Sequence, residues 1–290
     1  MRIAEALAQA VIRLDNDGVE SPRLDAELLL AHVLGANRAA VLARPEQSLT
    51  PKQLTRYQDL VARRAGREPL AYIVGHREFF GLDFLVDPRV LIPRPETELL
   101  VEQALRLAQR YAPPLQIADV GAGSGAIAVT LALHLPQALV YALDASEDAL
   151  AVVAENAARH SVAARHGVAG RVHCLASDLL SSLPGPVHLI AANLPYVTTG
   201  EWTGLIPEIR DHEPRAALDG GPDGLALIRR LLATAGPYLQ PGGALLLEIG
   251  ATQGAAVTAL AREHLPQGHV QLYQDYAGLD RLVVVDVPLI

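Results

Sequence analysis

The chain has 290 residues, 50% hydrophobic and 19% charged, with a formal net charge of −8. That balance excludes a disordered chain. It also counts against stable nucleic-acid binding, because phosphate contacts need clustered Lys and Arg. The length exceeds what one hydrophobic core usually serves and predicts two domains.

The single cysteine, Cys174, lies in an apolar segment and cannot close an internal disulfide, which suits a reducing, cytoplasmic compartment. Residues Met1 to Leu14 are broken by Arg2, Glu5 and Arg13 and lack a signal-peptide core. No apolar run is long enough to span a bilayer, so no membrane partner is expected.

Ile3 to Leu14 has apolar residues at helical spacing. Ser21-Pro22 opens a second helix, since Ser caps well and Pro suits the first helical position. Leu24, Leu28, Ala31 and Leu34 are its expected apolar face, and Gly35 closes it. Thr50-Pro51 repeats the opening, and Leu54, Tyr57 and Val61 carry an amphipathic helix to about Gly66. A small helical domain is thus expected over residues 1–74. His76 to Val86 alternates as a hairpin turning near Gly81, within a linker over residues 75–95. Glu96 to Gln109 reads as a helix with Glu96 and Glu98 in its first turn, where the helix dipole favours negative charge. It opens a second domain, residues 96–290.

From Gln116 short apolar runs alternate with helical stretches. Expected strands are Gln116–Gly121, Leu139–Asp144, Arg171–Ser177, His188–Asn193, Ala244–Ile249, Val270–Asp275 and Leu282–Val287. Expected helices lie near Ser124–Leu135, Ser146–His160 and Gly224–Leu232. This alternation predicts a mostly parallel seven-stranded sheet covered on both faces. The Gly278-containing connection is too short for a crossover helix, so the last two strands should be antiparallel. The outline is α/β, that of a class I (Rossmann-like) methyltransferase more than of a dinucleotide dehydrogenase.

Four elements fall at the carboxyl ends of the first four strands, where open α/β sheets bind ligands. Gly121-Ala122-Gly123-Ser124-Gly125 lets the backbone turn tightly and approach a ligand, although with Ala126 it also fits a dinucleotide loop. Asp144 can accept both ribose hydroxyls of an adenosine cofactor, which does not separate NAD from S-adenosylmethionine. Asp178 can accept from an adenine amino group while Leu179 packs on the ring. An N-cap or turn aspartate is a comparable reading of Asp178 on local grounds. Asn193-Leu194-Pro195-Tyr196 is the most informative element. The Asn193 side-chain carbonyl and the Leu194 backbone carbonyl can accept the two N–H bonds of a planar amide or amine. Tyr196 can stack on that group, and Pro195 stiffens the turn beforehand.

No histidine spacing fits a metal site, and none is expected; His134, His160 and His166 read as surface or cap residues. Trp202 and Glu201 fall in an expected substrate loop. Asp219-Gly220-Gly221 and Asp223-Gly224 read as turn chemistry.

Over essentially its full length the chain resembles the peptide chain release factor glutamine N(5)-methyltransferases. The resemblance rests on Ser21 to Leu29, Pro69 to Gly75, Ile92-Pro93-Arg94-Pro95-Glu96-Thr97-Glu98, the glycine loop, Glu213 to Leu218 with Asp219 to Leu225, Pro241-Gly242-Gly243 and Leu247-Glu248-Ile249-Gly250. Many methyltransferases share the glycine loop; the Ile92 to Glu98 and Glu213 to Ala216 segments are more specific.

The resemblance implies an S-adenosylmethionine-dependent enzyme, releasing S-adenosylhomocysteine, that methylates the glutamine of the Gly-Gly-Gln loop in release factors 1 and 2. By matching position, Gly121 to Gly125, Asp144, Asp178, Leu179 and Asn193 contact the cofactor. Asn193, Leu194, Pro195 and Tyr196 hold the glutamine. The Arg94–Thr97 loop, with Glu96, closes over the methionine end, and the helical domain helps recognise the factor. One departure stands out: the family usually has Pro where this chain has Leu194, a change that keeps the carbonyl and loses stiffness. Asn-Leu-Pro-Tyr also occurs in rRNA adenine dimethyltransferases. Adenine methylation of RNA or DNA is therefore the competing enzyme reading, and methylation of a ribosomal-protein glutamine a nearer one. A non-catalytic binding protein is disfavoured by the intact glycine loop, Asp144 and the Asn193 motif.

Overall fold

The computed structural model describes residues 1–161 and 170–289. His166, expected at the surface or in a cap, lies outside the described residues. In chain order the elements are α1 (Ile3–Asn16), α2 (Pro22–Leu34), α3 (Arg38–Leu42), α4 (Pro51–Ala65), α5 (Leu70–Val74), β1 (His76–Phe79), β2 (Leu82–Leu85), α6 (Glu98–Ala108), β3 (Leu115–Val120), α7 (Ala126–His134), β4 (Ala138–Asp144), α8 (Glu147–Ser161), β5 (Val172–Ala176), β6 (Val187–Ala192), α9 (Pro207–Arg210), α10 (Ala226–Ala235), β7 (Leu239–Glu248), α11 (Gly254–His264), β8 (His269–Gln274) and β9 (Asp280–Asp286). They fall into two compact units. One is Met1–His76 with Ile206–His212; the other is Arg77–Leu205 with Glu213–Ile290.

The first unit is helical. Thr50 caps α4 by accepting from the Gln53 amide at 3.3 Å, the second half of a reciprocal box that Gln53 completes on the Thr50 amide at 2.9 Å. Helix α2 departs from its expected face. Its buried residues are Asp25, Ala26, Glu27, Leu29, Leu30 and Ala31, while Leu24 is 42% exposed. Two acids on the inner face account for the rotation. Asp25 accepts from Arg64 at 2.7 Å, and Glu27 accepts from Arg23 at 3.0 Å and Arg38 at 2.6 Å. Arg64 also reaches Glu208 of α9 at 2.9 Å, and Arg67 meets the same carboxylate at 2.6 Å. Buried charges persist only when paired in this way, so apolar spacing alone misplaces the helix.

The second unit holds the seven-stranded sheet, in the order β5-β4-β3-β6-β7-β9-β8. Strands β3 to β7 are parallel, and β9 is antiparallel to both β7 and β8. This is the mostly parallel class I methyltransferase sheet that the alternation predicts, with its last two strands antiparallel. One apolar layer, including Leu100, Leu131 and Val153, covers one face; another, including Ile228, Leu231 and Val257, covers the other. Strand order reverses between β3 and β6, which opens a crevice at their carboxyl ends. Helix α11 lies outside the helices expected from the sequence, because its start at Gly254-Ala255-Ala256 carries no cap or Pro signal.

The β1–β2 hairpin is tied to the sheet by Asn156 of α8, which is fully buried. Its Oδ1 accepts from the Leu85 amide at 2.8 Å, and its Nδ2 donates to the Leu85 carbonyl at 3.0 Å and the Ser124 carbonyl at 2.9 Å. One side chain thus joins the hairpin to the loop after β3. Asn156→Ala leaves these three backbone groups without a partner and should cost about 3 kcal/mol. Chemical denaturation measures the loss.

Candidate functional site

The loop after β3 turns through three glycines with φ of 77°, 54° and 78° at Gly121, Gly123 and Gly125. A side chain at Gly125 would be strained by the positive φ and crowded, with a Cβ 3.0 Å from Val153 Cγ1 and 3.3 Å from its Cα. Asp144, at the end of β4, ties this loop to the next helix. Its Oδ2 accepts from the Gly123 amide and its Oδ1 from the Ser146 amide, both at 2.9 Å. Each oxygen keeps a second lone pair for a ligand hydroxyl. Ser146 in turn accepts from the Ala149 amide at 3.1 Å, so the two residues share the start of α8.

A cavity of about 380 Å3 lies at this edge. Gly121, Gly123, Asp144, Asp178, Leu179, Asn193, Leu194 and Pro195 line it together. Its size and mix of apolar walls with few polar groups fit a nucleoside-sized ligand. Asp178 pairs through Oδ2 with Arg230 at 2.6 Å. Leu179 has φ +52° and is held by the Ser177 hydroxyl, which donates to its carbonyl at 2.8 Å. Ala122, Ser124 and Gly125 do not line the cavity; they are buried, and Ser124 and Gly125 hold the loop against α8 through Asn156 and Val153. Asp119, just before the loop, is fully buried. Burial pushes its carboxyl up to about 7, and the Asp144 charge adds to this. Its Oδ2 accepts from the Ala128 amide at 3.0 Å, while Oδ1 has no partner among the described residues.

The Asn193–Tyr196 turn follows β6. Asn193 Nδ2 donates to Thr97 Oγ1 at 3.1 Å, which commits the NH2 end inward. Its Oδ1 and the Leu194 carbonyl take no hydrogen bond among the described residues. The Leu194 side chain is itself structural. It is 3% exposed, and its Cδ2 would stand 3.1 Å from a Cβ on Gly121. Leu194 thus contributes packing against the glycine loop as well as its backbone carbonyl. Tyr196 lies outside the cavity lining, and burial followed by the nearby Glu248 charge raises its hydroxyl to about 12. Its hydroxyl is therefore neutral near pH 7.

Segments distant in sequence back this turn. Gln253 Nε2 donates to the Tyr196 carbonyl at 2.9 Å, and its Oε1 accepts from the Gly250 amide at 2.9 Å. Val197 and Gly220 exchange backbone bonds with the 218–220 stretch and Val197 respectively: the Val197 amide donates to Leu218 at 3.0 Å and the Gly220 amide to Val197 at 2.8 Å. Asp219 accepts from Thr199, Gly221 and Arg215, and the Arg215 guanidinium lies 5.0 Å over the Trp202 ring. Asp219 to Gly224 is thus more than turn chemistry. A Cβ on Gly220 would come within 2.6 Å of the Pro195 carbonyl, and one on Gly224 would overlap the Tyr196 carbonyl. Only a local turn signal was visible in the sequence, since close approach between segments leaves no local mark.

Arg94 does not line the cavity. It donates to Glu213 at 2.5 Å, and the other Glu213 oxygen accepts from the Ile92 amide at 3.1 Å. The two most specific segments of the sequence are therefore joined by one buried carboxylate. Glu96 is exposed and Thr97 is 4% exposed, in a short turn of 3₁₀ helix before α6. Arg89, Pro214, Ala216 and Leu227 line the cavity without having been anticipated.

Residues 5–75 match the PrmC N-terminal domain model, and residues 96–209 match the methyltransferase small domain model. A "release factor glutamine methyltransferase" of Moorella thermoacetica is 47% identical over 97% of this chain and 97% of its own. One from Nitratidesulfovibrio vulgaris is 42% identical over 96% of this chain and 92% of its own. The solved hMettl16 catalytic domain, in complex with MAT2A 3′UTR hairpin 6, is 15% identical with a TM-score of 0.56, over 80% of this chain and 82% of that chain; it shares the fold alone.

Gly224 has φ +72°, where a side chain is strained, and no space for a Cβ. Gly224→Ala should lower stability by about 2 kcal/mol and displace the Asn193–Tyr196 turn. Thermal unfolding and the Asn193 side-chain amide signals in NMR report both effects.

Proposed function

This chain belongs to the release factor glutamine methyltransferase family, and from that premise we propose that it methylates the Gly-Gly-Gln glutamine of release factors 1 and 2, using S-adenosylmethionine. The observation that carries this reading is the Asn193 turn. Two oxygens, Asn193 Oδ1 and the Leu194 carbonyl, take no hydrogen bond among the described residues and stand at the edge of a nucleoside-sized cavity.

Bound S-adenosylmethionine supplies an electrophilic methyl on a sulfonium. The chain's residues do the rest. Asp144 and the glycine loop hold the ribose end, with Asp178 and Leu179 at the base. A glutamine amide is a poor nucleophile because its nitrogen lone pair is delocalised into the carbonyl. Accepting both N–H bonds orients that nitrogen and favours the charge it develops as it is alkylated. Pro195 and the Gln253 bond to the Tyr196 carbonyl hold the acceptors in place before the substrate arrives. The neutral Tyr196 ring offers a flat surface for the amide. The nitrogen sheds one of its two N–H protons as it is alkylated, and the site favours this by position and electrostatics rather than through a strong base.

Labelled S-adenosylmethionine incubated with a release factor should label the factor, and changing the loop glutamine to Ala should abolish that label. Label on rRNA alone would overturn the reading. Asn193→Ala should cut turnover by about a hundredfold or more, the size of effect seen when a preorganised donor or acceptor is removed, while calorimetry still finds cofactor binding. Asp144→Ala should act the other way, weakening cofactor affinity first.

A further inference from the structure

Glu248, the last residue of β7, has no part in the chemistry above. It is 2% exposed, and neither carboxyl oxygen has a hydrogen-bond partner among the described residues. A buried carboxyl without partners is rare and costly. Its polar neighbours are the Thr97 hydroxyl and the Asn193 amide, with Arg281 and Glu96 as the charged groups around it and the neutral Tyr196 close by. The Arg281 guanidinium is already bonded to Asp275 at 3.2 Å and to the Ile249 carbonyl at 3.3 Å. Arg281 thus acts on Glu248 through its charge, while the polar donors beside the carboxyl are Thr97 and Asn193, the same pair that meets at 3.1 Å.

This matters for which end of the Asn193 amide meets the substrate. A hydroxyl has one proton and two lone pairs. Thr97 alone can accept from the Asn193 NH2 or donate to its oxygen, so it does not choose between them. An ionised carboxylate only accepts. If it takes the Thr97 proton, the Thr97 oxygen must accept from Asn193 Nδ2, and Asn193 Oδ1 faces outward. We propose that Glu248 is a positioning residue: by accepting the Thr97 proton it sets the direction of the Thr97–Asn193 hydrogen bond and keeps the Asn193 oxygen turned toward the substrate amide. The inference rests on the Asn193 role proposed above. With the direction reversed, an NH2 group faces the substrate N–H and repels it.

Burial pushes the Glu248 carboxyl up to about 7; Thr97 and Arg281 pull it down and Glu96 raises it. The sign follows. Protonated Glu248 can donate to Thr97 and reverse the relay, so turnover should rise with pH through about 7. Asp119 titrates in the same range, so the assignment depends on the difference between wild type and Glu248→Gln.

The test compares wild type, Glu248→Gln, Thr97→Val, Thr97→Ser and the Glu248→Gln/Thr97→Val double variant, with purified release factor and labelled S-adenosylmethionine. The expected result is a loss in kcat of about a hundredfold for Thr97→Val and a smaller loss for Glu248→Gln, whose amide can present either its oxygen or its NH2 to Thr97, with cofactor affinity and melting temperature near wild type. Thr97→Ser, which keeps the hydroxyl, should retain most turnover. The double variant should be no worse than Thr97→Val alone, as residues in one relay are not additive. A turnover–pH profile in Glu248→Gln identical to that of wild type, or losses that multiply in the double variant, would overturn the proposal. A second measurement needs no release factor: the Asn193 side-chain amide signals of the whole protein, followed by NMR from about pH 6 to pH 8. They should titrate near 7 in wild type and stay fixed in Glu248→Gln; identical titration in both sinks the proposal. If wild type leaves the factor unlabelled, the functional reading fails, and the amide signals still decide the role of Glu248.

Discussion

Backbone segments meet at the carboxyl edge of β6 more closely than side chains would allow. The Pro195 and Tyr196 carbonyls press on Gly220 and Gly224, Gln253 bonds the Tyr196 carbonyl, and Leu194 rests on Gly121. The turn therefore has almost no freedom, although it belongs to no helix or strand. Its rigidity comes from its neighbours, among them two glycines where a Cβ would not fit and the committed amide of Gln253. In the proposed function, a turn held this way meets the substrate with its acceptors already set, which is where a weak nucleophile gains most.

The same edge carries two buried carboxyls, Asp119 and Glu248, each raised to about 7. Both bind a proton more tightly folded than unfolded. The fold therefore gives up stability as pH rises from their ordinary values near 4 to about 7. Such groups are poor choices for stability alone. They sit directly behind the glycine loop and the Asn193 turn, where an acceptor of fixed direction has a use. Asn156 is the contrasting case: equally buried, it is fully bonded and ties the hairpin to Ser124.

The sheet was legible because its signals are local. Short apolar runs, glycine turns and one connection too short for a helix are each read within a few residues. Together they predict five parallel strands and a final antiparallel pair. The polar residues at strand ends were legible for the same reason: Gly121, Asp144, Asp178 and Asn193 stand where β3, β4, β5 and β6 stop. Helix α2 was misread in its face, since Asp25 and Glu27 look solvent-facing until Arg64, Arg23 and Arg38 are known to meet them.

What the sequence determined by itself is the order of the elements, the strand ends and the kinds of polar group standing there, because period and turn chemistry are properties of neighbouring residues. Only the tertiary structure decided how those groups are used. It joined Arg94 to Glu213, set Gln253 on the Tyr196 carbonyl, buried the Leu194 side chain, and put Glu248 beside Thr97 and Asn193. Each of these pairs residues more than fifty positions apart, and Coulomb attraction, hydrogen bonding and exclusion depend on distance in space, which no local pattern encodes.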